Sequence, residues 1–125
     1  MADSPVILVV DNDKRIAVIM RNYLEPLGYK VVGCEDASDV PARAREASAR
    51  LLLLDVLMPG LGGLEVCRQV RAAGLNLPIV MLSSQSSPKD VDLARAAGAD
   101  DYFTKPVDLK DLEAALWKLL HGGAR

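Results

Sequence analysis

"LLLLDVLMPG", residues 51–60, runs from four leucines into an aspartate and on to Met-Pro-Gly. A short apolar run closed by turn residues suits a buried strand. An aspartate at the end of a buried segment is costly unless it is paired, bound to a metal or needed for chemistry. Asp55 has no obvious cap or turn role, so it reads as a chemical group at the mouth of a strand.

The same kind of run recurs on both sides of it. "VILVV" (6–10), "KVVGC" (30–34), "IVML" (79–82) and "DYFT" (101–104) read as strands. Amphipathic stretches separate them. Ile16, Ile19, Met20, Tyr23, Leu24 and Leu27 keep helical spacing up to Gly28. Ser38 can cap a second helix with Val40, Ala44 and Ala47 on one face and Pro41 in its first turn. "GLEVCRQVRAAG" (63–74) and "PKDVDLARAAG" (88–98) are the third and fourth helices, each closed by glycine. Leu109, Leu112, Leu116, Leu119 and Leu120 mark a closing helix. A strand–helix unit repeated five times implies an α/β protein whose parallel sheet is covered on both faces. Right-handed crossovers make it a doubly wound three-layer sandwich, with its ligand beyond the carboxyl ends of the strands.

The bulk properties narrow the function. A chain of 125 residues fits one domain, 1–125. Fifteen basic and 17 acidic residues give a net charge of −2, which does not suit direct nucleic-acid contact. Cys34 and Cys67 read as reduced core residues, and the single histidine, His121, leaves no zinc pattern. The N-terminus has no signal-peptide pattern, and no apolar run approaches the ~20 residues of a membrane span. The expectation is a cytoplasmic protein with no membrane contact.

The strand ends gather chemistry: Asp11-Asn12-Asp13 after the first, Asp55 after the third, Ser83-Ser84 after the fourth, Thr104-Lys105-Pro106 after the fifth. Singly, these fit helix caps, turn residues and a solvated lysine. Together, carboxylates in one pocket need a cation, and hard oxygen donors suit Mg²⁺. A carboxylate can attack phosphorus, with a lysine neutralising the phosphoryl oxygens.

Here the chain resembles the receiver domains of bacterial two-component response regulators, the chemotaxis receivers among them. "ILVVDND", "LLLLDVLMPGLGGLEV", "PIVMLSS" and "GADDYFTKP" carry the resemblance across essentially the whole chain, in the family's order and spacing. It implies a flavodoxin-like sheet of order 2-1-3-4-5. It also implies that Asp55 accepts a phosphoryl group from a phosphohistidine of a sensor histidine kinase. Mg²⁺ would be held by Asp11, Asn12, Asp55 and the backbone carbonyl of Leu57. Ser83 would hydrogen-bond the phosphoryl group, Lys105 would pair with Asp55 and then the phosphate, and Lys105–Pro106 would be cis. Tyr102 would be the aromatic switch, turning inward as Ser83 moves. A downstream protein or a second copy would bind through the fourth helix, fifth strand and fifth helix. Such a domain is not an enzyme beyond its own phosphorylation and dephosphorylation.

The family usually has two adjacent acids where this chain has Asp11-Asn12, which lowers the expected metal affinity. Asp13 reads as a solvated residue favouring the helix dipole; the alternative is that it turns inward to replace the missing acid. Ser83 stands for the commoner threonine, and Leu57 and Gln85 occupy positions that vary with dephosphorylation rate. Two other readings remain. "VVDND" also resembles the D-x-D of haloacid-dehalogenase-type phosphatases, but that scheme leaves Asp55 unexplained. Asn12 also fits a pseudo-receiver, an interaction module that is not phosphorylated.

Overall fold

A computed structural model describes residues 4–56, 62–85 and 87–122. The strands are β1 (Val6–Val10), β2 (Lys30–Cys34), β3 (Leu51–Asp55), β4 (Ile79–Ser83) and β5 (Asp101–Thr104). The helices are α1 (Lys14–Leu24), α2 (Val40–Glu46), α3 (Gly63–Ala72), α4 (Pro88–Ala97) and α5 (Leu109–His121). All strand pairs are parallel, and the order is β2-β1-β3-β4-β5, the order expected.

Strand composition follows from place in the sheet. β3 and β4 are buried at every residue, as central strands covered on both faces must be. The edge strands β2 and β5 are less buried and carry polar residues. Alternate side chains feed two separate cores. Ile7, Val9, Leu51, Leu53, Val80 and Leu82 pack with residues of α1 and α5. Leu8, Val10, Leu52, Leu54, Ile79 and Met81 pack with residues of α2, α3 and α4. Both cysteines are buried free thiols, and burial pushes the Cys67 thiol pKa up.

Three local expectations are corrected. The first α-helix closes at Leu24 rather than at Gly28, and Glu25–Leu27 tighten into a 3₁₀ turn. Pro26 has no N–H with which to continue the α-helical ladder. Leu27, in that turn, is 53% exposed, and Ile19, within α1, is 45% exposed; neither is a core residue. Second, Ser38 does not cap α2: the cap is Asp39, in a left-handed conformation without a side-chain hydrogen bond. The Ser38 backbone N–H and hydroxyl both donate to the Asp36 carboxylate instead, a local turn that competes with capping. Third, β4 extends through Ser83. Among the described residues no helix is long and apolar enough to cross a membrane.

The strand order reverses between β1 and β3, so the crevice expected of a doubly wound sheet opens beyond Val10 and Asp55.

Candidate functional site

β1 and β3 run in register from Ile7 beside Leu51 to Val10 beside Leu54. One step further sets Asp11 next to Asp55, and both are buried, at 5% and 6% exposure. Lys105 follows β5, and its backbone N–H donates to the Ser83 carbonyl at 2.7 Å, extending that ladder past the strand. The Lys105–Pro106 peptide is cis. Asp11 and Asp55 continue the alternation of Ile7, Val9, Leu51 and Leu53, and Lys105 continues that of Phe103, all on the α1/α5 side. The Lys105 ammonium lies 3.1 Å from Asp11 Oδ2 and 3.4 Å from Asp55 Oδ2. Burial works against that ammonium. The hydrogen bond and charge of Asp11, with the charge of Asp55, outweigh it and hold the Lys105 pKa above its ordinary value.

Ser83 has the opposite parity on β4 and is fully buried. Its Oγ accepts the backbone N–H of Gln85 at 3.0 Å. The Gln85 carbonyl in turn accepts the phenol of Tyr102, which is half-buried against the α2/α3/α4 core. The backbone of Gln85 thus bridges the hydroxyl and the phenol, through its N–H on one side and its carbonyl on the other.

The corner after β1 divides its duties. Asp11 Oδ1 accepts the Asp13 N–H at 2.9 Å. Asn12 is exposed. Asp13 caps α1, accepting the Arg15 N–H at 3.0 Å. The Arg15 guanidinium also grips it, Nε at 3.0 Å from Oδ1 and Nη2 at 2.8 Å from Oδ2. These side-chain and backbone bonds bring the Asp13 pKa down to about 2. Both Asp13 oxygens are thus engaged by the helix start and by Arg15. In the sequence the only signal of Arg15 is its place two residues after a capping aspartate. Leu57 lies outside the described residues.

Among the described residues no three His, Cys, Asp or Glu side chains converge on a metal position. Asp11 and Asp55 are a pair of hard, buried oxygen donors, and two carboxylates sharing one ammonium suit Mg²⁺; Asn12, next in the chain after Asp11, is a neutral oxygen donor.

A match to the response regulator receiver domain spans residues 7–117. The chain belongs to this family. The receiver is 37% identical over 114 residues to the alkaline phosphatase synthesis transcriptional regulatory protein PhoP of Bacillus subtilis (strain 168), covering 91% of this chain and 48% of that protein. It is 40% identical over 114 residues to response regulator MprA of Mycobacterium avium (strain 104), covering 91% and 50%. The chain therefore spans about half the length of these curated relatives. A solved Francisella response regulator 1452 receiver domain superposes with TM-score 0.88 at 26% identity, over 95% of this chain and 98% of that one. Vibrio cholerae chemotaxis protein CheY4 superposes with TM-score 0.86 at 28% identity, over 94% and 99%. Receiver domains generally use Mg²⁺ for phosphorylation.

Proposed function

We propose that residues 1–125 act as one receiver that takes a phosphoryl group onto Asp55 from the phosphohistidine of a sensor histidine kinase. The carrying observation is the buried Asp55 at the strand-order reversal, sharing the Lys105 ammonium with Asp11. A carboxylate oxygen of Asp55 would form the bond to phosphorus. The bond from phosphorus to the imidazole nitrogen would break, the electron pair leaving with the imidazole, which then takes up a proton. Lys105 would move from carboxylates to phosphoryl oxygens, whose charge it neutralises. Ser83 Oγ, now an acceptor for Gln85, would turn to donate to the phosphoryl group. Asp11, Asn12 and Asp55, with the Leu57 carbonyl, would hold Mg²⁺, which supplies further charge neutralisation.

An apolar groove of about 380 Å³ supports a protein donor. It opens between Ile16, Ile19 and Met20 of α1 and the Pro106–Leu109 segment, directly beside Lys105. Exposed Ile19 gives a partner apolar area to cover. The response would leave through α4, β5 and α5 to a downstream protein or a second copy. The domain performs no other catalysis in this reading, works in the cytoplasm and does not itself contact nucleic acid.

Asn12 favours one alternative, an interaction module that is never phosphorylated. Incubation with a small phosphodonor and Mg²⁺ tests both. The expected result is a mass gain of one phosphate, absent from Asp55→Asn. No gain in the wild type supports the unphosphorylated module. Phosphate mapped to Asp11 instead supports the phosphatase scheme.

A further inference from the structure

Resting on the receiver reading, we propose that Arg15 withholds the Asp13 carboxylate from the divalent-cation site. The site is then left with the carboxylates of Asp11 and Asp55 and the amide of Asn12 as its side-chain donors. Asp13 stands two residues from Asp11 and is joined to its carboxylate through its own N–H at 2.9 Å. Both of its carboxylate oxygens are nevertheless engaged by Arg15. Oδ1 takes the Arg15 N–H and Nε, and Oδ2 takes Nη2. A planar guanidinium meeting a carboxylate with two parallel bonds is the most specific ion pair available to side chains. Here the same residue adds a backbone bond, and the carboxylate caps a helix at the same time. Among the described residues no other acidic group joins Asp11 and Asp55. The Asn12 amide is exposed and makes no hydrogen bond among the described residues, so it is free to turn to a cation. Oxygen-ligand charge sets divalent affinity, so a carboxylate held in reserve makes Arg15 a positioning residue for metal affinity.

Mg²⁺ titration followed by NMR, with the carboxyl carbon of Asp13 observed directly, tests this on the whole chain. Arg15 is 84% exposed, so the pair it forms withholds little: Arg15→Ala is expected to tighten Mg²⁺ about three- to fivefold. The Asp13 carboxyl shift should respond to Mg²⁺ in that variant and stay unmoved in the wild type. The double variant Asp13→Asn/Arg15→Ala should return to within about twofold of wild type, since a neutral pair has been removed. Unchanged affinity in Arg15→Ala, with binding still abolished by Asp11→Asn, overturns this inference alone. So does an Asp13 carboxyl shift that already responds in the wild type. Mg²⁺ binding indifferent to Asp11→Asn overturns the cation site itself.

Discussion

Lys105 holds together two carboxylates that would otherwise repel. Its side chain is 26% exposed, against 3% for Asp11 and 8% for Asp55. An exposed ion pair contributes little, whereas a desolvated carboxylate stripped of its cation is a net cost. Lys105→Met is therefore expected to lower stability by about 1–3 kcal/mol, read from the urea midpoint at neutral pH. Lys14→Ala is the internal control. Lys14 lies 3.9 Å from Glu35 with both side chains largely exposed, and its loss should stay within about 0.5 kcal/mol. Equal midpoints for the two variants would mean that the buried triad adds nothing to the fold. At this scale the sequence disclosed the participants but not their allegiances. Asp11 and Asp13 look alike in "DND", yet one is buried against a lysine and the other is spent on α1. The difference arises from Arg15, whose reach around the first turn has no periodic signature.

The helix that follows the site is seated by the absence of a side chain. Gly63 opens α3, and its N–H donates to the Val56 carbonyl at 3.0 Å. A Cβ there would lie 2.4 Å from the Asp55 carbonyl oxygen and 2.8 Å from Val56 Cα. Both are backbone atoms of the strand end that carries Asp55, so no rotamer relieves the contact. Gly63→Ala should cost about 1–3 kcal/mol in urea unfolding, as forced overpacking does. The adjacent Gly62 would meet its nearest atom at 3.6 Å, an ordinary contact. Gly62 is the N-cap of α3, where alanine is the poorer residue, so Gly62→Ala should cost only about 0.5 kcal/mol, and equal losses at both positions would refute the close-approach account. Close packing of helix on strand is a fact about two elements and cannot be seen in either alone. The C-terminus of α1 and the start of α2 depart from their sequence patterns for a related reason. A missing N–H at Pro26 and a competing turn at Asp36 override apolar spacing and cap preference.

Across the whole molecule, the Gln85 backbone links the site to the α4–β5–α5 face. Its N–H serves Ser83 and its carbonyl serves Tyr102. If Ser83 turns to a phosphoryl group, that N–H loses its acceptor, and the Tyr102 phenol has to follow the carbonyl or leave it. The switch is then a shift between two states, one of which the ligand binds better. A phosphate mimic bound at Asp55 is expected to move amide resonances in α4, β5 and α5 more than those of α2. Resonances of residues 84–120 that stay still would break this link. The chain's local chemistry was sufficient for much of this protein: apolar run length and helical spacing determine five strands, five helices and a parallel sheet covered on both faces. The position of Asp55 at the end of a wholly buried run marks it out in the same way. Folding adds what no local pattern carries. Asp11 meets Lys105 across 94 residues of sequence, and Ser83 reaches Tyr102 through the backbone N–H and carbonyl of Gln85. Periodicity is a property of neighbours along the chain. Charge pairing and close approach belong to residues that only the sheet order brings side by side.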